Sequence, residues 1–260
     1  MRRRRKHYNR RRAKKRASYK RKLSILKKEN EIIETVQNAK KGLGQGSFGA
    51  IIEISKSSIA KISLSLNYYD NTLLLEEGVM QRKLNKLYPN HITKIEYIFR
   101  EKTDNGLVYV IMEKARCDLK NILFKMYQDI NYNRISKEDL VNKQIYYAEQ
   151  FLLCVQKLHS SKIAHCDLKP ENILCFNNDR IKLSDFGFSH DCQKISKIPL
   201  SRGTPHYMSH NTLENNNFKP IKRKDLCPLK EDIFSSAVVL WDILESPQLG
   251  FLLPRGIENM

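Results

Sequence analysis

Two aspartates, Asp167 and Asp185, stand in a stretch whose residue types and spacing suit work on phosphate oxygens. Residues 165–187 read HCDLKPENILCFNNDRIKLSDFG. Asp167 is followed at short spacing by Lys169 and Asn172. Thirteen residues beyond Asn172, the β-patterned run RIKLS leads into Asp185, Phe186 and Gly187. Hard cations that keep several waters take oxygen ligands, and a carboxylate with an amide oxygen supplies them. A single Asp before a Leu is ordinarily a helix cap or turn residue, so the signal lies in the ordered combination.

A second constellation lies upstream. KGLGQGSFGAIIEIS carries Gly44, Gly46 and Gly49 as G-x-G-x-x-G. Alone this pattern is shared with dinucleotide-binding folds, and glycines often mark only a tight turn. Here β-patterned residues flank it on both sides, as a hairpin requires, and the missing side chains let backbone amides approach phosphate oxygens. The next strand, SIAKIS, presents Lys61, with Ile59 on the same face by the period of two. Residues 72–88, TLLLEEGVMQRKLNKLY, read as an amphipathic helix with Leu73, Val79, Met80, Leu84 and Leu87 inward.

Together these segments resemble the eukaryotic-type protein kinases, over residues 42 to about 245. The resemblance implies an α+β, two-lobed fold, with a small antiparallel-sheet lobe followed by a mainly helical one. It implies ATP and Mg2+, with Asn172 and Asp185 holding the metal on the phosphates, Asp167 orienting or accepting the proton of a substrate hydroxyl, and Lys169 steadying the moving group. Lys61 would contact the α and β phosphates and pair with a glutamate of the following helix. Glu76, with apolar residues at minus three, plus three and plus four, is preferred for that role over Glu77, which fits Leu84 but loses Val79.

The same resemblance places Gly44, Gly46, Ser47, Phe48 and Gly49 over the phosphates, Phe48 at the loop tip. Ile51, Ile59 and Leu174 join the nucleotide-binding set, Ile59 standing where the family normally has alanine over the adenine. Met112 lies behind the adenine, the backbones of Glu113 and Ala115 bond it, and Asp118 meets the ribose. Thr204, in GTPHYMS, falls near Asp167 and Lys169; with Lys169 itself it points to serine or threonine as acceptor. The sequence departs from the family in five places, the first being a hairpin before Lys61 that is shorter than usual. S-I-A-K replaces V-A-x-K. Cys166 replaces a common arginine, so activity should depend less on phosphorylation of the activation segment. Ser209-His210-Asn211 replaces A-P-E. The large lobe is shortened after DIFSSAVVLWDIL, in which Asp232 would brace the catalytic loop.

The 260 residues are 41% hydrophobic, enough for a sizeable core. The formal charge of +19 is concentrated: residues 2–28 hold 16 Lys or Arg and no acid, leaving 31 bases against 28 acids elsewhere. The expected organisation is a basic disordered arm with a linker or helix over 1–40, a small lobe over 41–114 and a shortened large lobe over 115–260. A helix is possible from Ser18 to Lys41, on Leu23, Leu26, Ile33 and Val36. The arm suits nucleic acid or an import receptor, and hence a nuclear location. Six cysteines without C-x-x-C pairing, and no signal-peptide core, indicate free thiols in an intracellular, non-secreted protein. No apolar run is long enough for a bilayer, and oligomeric state is not legible. Two other readings stay open: a pseudokinase scaffold, and a nucleic-acid-binding protein acting through its arm.

Overall fold

The computed structural model describes residues 2–39, 44–46, 49–63, 68–102, 106–194, 203–214 and 227–249. It opens with one helix, α1 (Arg2–Gln37), of 36 residues, about 54 Å long at 1.5 Å per residue. Here the structure differs from the expected disordered arm. Residues 2–37 contain neither Gly nor Pro, and Arg, Lys, Ala and Leu are good helix formers. The far end is also tied down. Ile32 is buried, and Ile33 and Val36 pack beside it on Ala60, Ile62, Phe99, Tyr109 and Ile111. Tyr97 Oη donates to Glu29 Oε1 at 2.7 Å, and Lys28 lies 5.6 Å from the Tyr97 ring centroid. Leu23, by contrast, is exposed.

The small lobe is an antiparallel sheet of β1 (Gly44–Gly46), β2 (Gly49–Glu53), β3 (Ser58–Ser63), β4 (Ile95–Arg100) and β5 (Val108–Glu113), in the order β1-β2-β3-β5-β4. Period-2 alternation gives it two apolar faces. Ala60, Ile62, Tyr109 and Ile111 meet α1. Ile59, Val108, Val110 and Met112 face the other way, toward Leu74 of α2 (Tyr68–Leu87). The sheet is therefore sandwiched between two helices. Glycine permits the close approach of α2: a Cβ on Gly78 would stand 3.0 Å from a Val110 methyl and 3.1 Å from Ile98 Cδ1. The inward face of α2 is Leu74, Glu77, Gly78, Gln81 and Leu84. Val79 and Leu87, expected inside, are 55% and 57% exposed.

The large lobe is built on α3 (Leu119–Asn131) and α4 (Lys137–Ser160). Ser136 caps α4 in a full capping box with Asp139, and Tyr147, Phe151, Cys154, Val155 and Leu158 form its core stripe. Short strands carry the chemistry-bearing loops: β6 (Cys117–Asp118), β8 (Ile173–Cys175) and β9 (Ile181–Leu183) make one sheet, while β7 (Ile163–Ala164) pairs with β10 (His190–Asp191). After α5 (His210–Glu214), α6 (Pro228–Leu249) packs across α3 and α4, burying Val239 and Ile243. Thr93 N donates to Leu183 O and Leu183 N to His91 O, both at 2.9 Å, joining the lobes behind the cleft.

Truncating the α1 anchor, Ile32→Ala, should lower unfolding stability by about 2 kcal/mol, the lower end for a buried aliphatic side chain. Leu23→Ala, on the exposed stretch, should change it by no more than ~0.5 kcal/mol. Chemical denaturation of the two variants checks this, and equal effects would mean that α1 is not anchored at Ile32.

Candidate active site

The site begins with a cation that strand geometry forces inward. Lys61 lies on β3 beside Ile59, and its side chain is only 4% exposed. An ammonium so buried must be paired, and two carboxylates meet it. Glu77 accepts through Oε1 at 2.7 Å and Oε2 at 3.0 Å, and Asp185 Oδ1 lies at 3.0 Å. Glu76, preferred from the apolar residues around it, is exposed on the outer side of α2. The correction follows from the helix phase: the side nearest the sheet is marked by Gly78 and the buried Gln81, not by Val79. Burial works against the Lys61 charge, but the two carboxylates outweigh it and hold its pKa above the ordinary value. Burial also pushes the Glu77 carboxyl up to about 7; Lys61 pulls it down and Asp185 adds to the upward push.

In the large lobe, Asp167 gathers three neighbours. Lys169 Nζ lies 3.0 Å from Asp167 Oδ2 and donates to Thr204 Oγ1 at 2.7 Å. The Thr204 hydroxyl donates in turn to Asp167 Oδ1 at 2.8 Å. Asn172 Nδ2 donates to Asp167 O and Oδ2, at 2.8 and 2.9 Å, which leaves the amide oxygen as its acceptor for other use.

Two residues near this cluster are held in the left-handed backbone region, Cys166 at φ 63° and Asp185 at φ 59°, a strain of about 1–3 kcal/mol each that surrounding structure must hold. Asp232 of α6 holds the first. Its buried carboxylate accepts from His165 N at 2.6 Å, from Cys166 N at 2.8 Å, and lies 2.9 Å from His159 Nε2. The bond from His165 Nε2 to Ser184 O, 3.0 Å, holds the second loop against the first, and Phe186 packs on the His165 ring at 4.9 Å. Burial, then the Asp232 carboxylate, pushes the Cys166 thiol well above its ordinary range, so it stays protonated and inert.

Between the lobes lies a cavity of about 380 Å3, lined by Ile51, Ile59, Lys61, Glu77, Met112, Lys169, Glu171, Asn172, Leu174, Ser184, Asp185 and Thr204. It thus joins nine of the expected residues, Ile51, Ile59, Lys61, Met112, Lys169, Asn172, Leu174, Asp185 and Thr204, with apolar walls toward β2, β3 and β8 and charged groups at one end. Gly44, Gly46 and Gly49 sit in the β1–β2 hairpin, where a Cβ on Gly49 would fall 2.2 Å from Ile62 O; this glycine is needed for sheet packing whatever binds beneath. Ser47 and Phe48 lie outside the described residues.

Asp167 is not itself in the lining but is bonded to Lys169, Asn172 and Thr204, which are; Asp118, Glu113 and Ala115 do not line the cavity either. Asp118 caps α3, accepting from Asn121 N at 2.8 Å. The Glu113 carboxylate accepts from Lys94 N and Lys182 Nζ, both at 2.6 Å. Ala115 is half-buried between Lys114, whose amide donates to Ser57 O, and Arg116, whose amide donates to Cys175 O.

Sequence reasoning missed Glu231. Its Oε2 accepts from both Ser209 Oγ and Thr212 Oγ1, the latter at 2.6 Å, so a glutamate of α6 clasps the segment where the family's A-P-E is lost. Tyr207 Oη donates to Asp242 Oδ2 at 2.9 Å and Ser235 Oγ to Tyr207 O at 2.7 Å. Residues 203–214 are therefore fastened along α6 at successive turns.

A cavity roofed by an antiparallel sheet and floored by a helical lobe, with its lysine, carboxylates and amide collected at one end, is the organisation of a protein kinase. The protein kinase domain family matches residues 37–249, and the chain belongs to it. It is 28% identical to CBL-interacting protein kinase 2 of Oryza sativa subsp. japonica, over 78% of this chain and 43% of that protein. It is 26% identical to serine/threonine-protein kinase SIK2 of Gallus gallus, over 84% and 26%, and 28% identical to dual specificity protein kinase shkD of Dictyostelium discoideum, over 78% and 25%. The matched part thus spans less than half the length of these relatives.

Glu231→Ala should release the 203–214 clasp. Amide hydrogen exchange at residues 207–213 should quicken about tenfold or more, since a charge-assisted hydrogen bond contributes about 1.5–3 kcal/mol, while exchange in α2 stays unchanged. Unaltered exchange at 207–213 would show that Tyr207 and Ser235 hold the segment without Glu231.

Proposed function

We propose that the chain transfers the γ-phosphoryl group of ATP to a serine or threonine hydroxyl of a protein. The observation that carries this reading is the hydrogen-bonded set Lys169–Thr204–Asp167, two members of which, Lys169 and Thr204, line the charged end of the cavity together with Lys61, Asn172 and Asp185. The volume is at the small end of the range for ligand sites, ~300–1,000 Å3. Ile51, Ile59, Met112 and Leu174 offer a flat ring apolar surroundings, and Lys61 can reach phosphate oxygens without leaving Glu77.

The donor set suits Mg2+. Asp185 offers carboxylate oxygens at the cavity wall and Asn172 its amide oxygen. Among the described residues no group of three or more His, Cys, Asp or Glu forms a metal cage, so an ion here would draw its other ligands from water and phosphate, as Mg2+ does. When bound it would neutralise phosphate charge. The chain's own groups do the rest. Asp167 Oδ1 presents an acceptor for a hydroxyl proton, occupied at rest by Thr204. Lys169 brings a positive charge to the same point, where negative charge on a transferring group would build up. Thr204 fixes the separation of the two. A serine or threonine acceptor is short enough to work at that depth.

Phosphotransfer from labelled ATP to mixed serine, threonine and tyrosine peptides tests the reading. Hydroxyl-specific transfer, greatest for serine or threonine, should fall about 10²–10⁴-fold in Asp167→Asn, the contribution typical of a general base, and fall steeply in Lys61→Met. A folded protein that binds ATP but transfers nothing would instead be a pseudokinase, with Ile59 intruding on the pocket.

The Glu77 carboxyl gives a second test. Its proton, held up to about pH 7, must leave for a full ion pair with Lys61, so the active form accumulates as pH rises. kcat/KM for ATP, which reports the free enzyme, should increase between pH 6 and 8 with a midpoint near 7. Glu77→Gln should remove that limb and lower the plateau; a flat wild-type profile would exclude the assignment.

A further inference from the structure

The kinase reading leaves α1 unexplained beyond its anchor. Its last turns cover the sheet, but everything from Arg2 to Lys28 carries the 16 bases and no acid, in one unbroken helix. At 1.5 Å per residue that is a rod of about 40 Å with a positive charge every ~2.5 Å. The clusters RRRRK, RRR, KKR and KRK are spaced so that, at 3.6 residues per turn, bases fall on every side of the helix. Residues 17–25 are exposed, and Lys27 is 80% exposed. The rest of the chain is close to neutral, with 31 bases against 28 acids.

Charge distribution decides the class of partner. An anionic membrane surface rewards a helix with one apolar face and one basic face; residues 2–22 offer only Tyr8, Ala13, Ala17 and Tyr19 as apolar side chains, too few for an apolar face. An acidic protein surface rewards charge on one side. A groove walled by phosphates on both flanks rewards charge all round. The DNA major groove, about 12 Å wide, admits an α-helix of ~10–12 Å diameter, whereas the major groove of an RNA duplex is too narrow for side chains to read.

We propose that α1 docks the chain on duplex DNA, its basic length lying in the major groove and its anchored end holding the kinase lobes at a fixed offset. Recognition is of phosphates, independent of base sequence. Through Glu29, Ile32, Ile33 and Val36 the rod is continuous with the sheet that carries Lys61. A DNA-bound substrate protein would then meet the cleft at raised effective concentration.

The test is fluorescence anisotropy of a labelled duplex of about 30 base pairs with the full chain, across a KCl series. Its readout is independent of phosphotransfer, so its failure leaves the kinase reading untouched. With 6–10 phosphate contacts, log K should fall against log[salt] with a slope of about −5 to −9. A variant with Arg10→Gln, Arg11→Gln, Arg12→Gln, Lys14→Gln, Lys15→Gln and Arg16→Gln keeps residues of near-equal helix propensity, which circular dichroism verifies. Its slope should be shallower by about 3 or more, with peptide phosphorylation unchanged. The proposal is overturned by a wild-type slope shallower than about −2, or by a slope the variant does not alter. It is equally overturned by binding as tight to a duplex RNA, a single strand, polyglutamate or phosphatidylserine vesicles at matched charge.

Discussion

One ammonium group, Lys61 Nζ, is shared by carboxylates from both lobes, and the geometry of the cleft depends on it. Desolvating an ion costs several kcal/mol, so a lysine on the inner face of a sheet is tolerable only if its partners arrive. Glu77 arrives because Gly78 lets α2 settle on Val110 and Ile98. Asp185 arrives because its backbone accepts the left-handed conformation at φ 59°. Burial above all, with Asp185 adding to it, pushes the Glu77 carboxyl upward, and one cation against two carboxylates leaves surplus negative charge. A divalent ion on Asp185 would remove that surplus. The same imbalance would thus favour a cation beside Asp185.

The large lobe answers with a brace. Helix α6 supplies Glu231 to Ser209 and Thr212, Asp232 to the loop at His165 and Cys166, and Ser235 and Asp242 both to Tyr207. Asp232 matters most because it accepts backbone N–H groups, which no substitution in the loop other than proline removes. Those bonds hold the loop at His165 and fix Cys166 in a conformation that L-residues resist, and so aim Asp167 at Lys169 and Thr204. The burial that keeps the Cys166 thiol protonated has the same origin: the loop is folded over the α6 carboxylate.

Much of this was legible in the sequence where chemistry restricts residue type. Lys61, Asp167, Asn172 and Asp185 were named from the resemblance of their motifs to protein kinases, and the structure brings them to one cleft; Asp232 followed from its run. Glu77 was missed because counting apolar neighbours treats a helix as facing an apolar core. The inner side of α2 instead holds Gly78 and Gln81, whose Nε2 donates to Thr93 O at 3.0 Å. Asp118, which the resemblance places beside a ribose, also caps α3, a use that the helix start at Leu119 makes legible. Glu231 left no local trace, since its partners Ser209 and Thr212 lie 22 and 19 residues away and only the path of α6 joins them.

The basic segment was misjudged for a different reason. Composition alone reads residues 1–28 as a chain that cannot bury apolar surface, and by itself that is sound, because isolated helices are stabilised chiefly by what they pack on. The missing fact lay downstream. Ile32, Ile33 and Val36 dock on the outer face of the sheet, so helix nucleation is already achieved at the lobe, and extension toward Arg2 adds one hydrogen bond per residue with no breaker in the way. Repulsion among the bases opposes that extension, and counter-ions or a polyanion relieve it. The arm is consequently an outgrowth of the small lobe: Tyr97, Phe99 and Tyr109, stacked and covered by its root, belong to the same sheet as Lys61. Whatever engages the charged rod pulls on the element that positions Lys61.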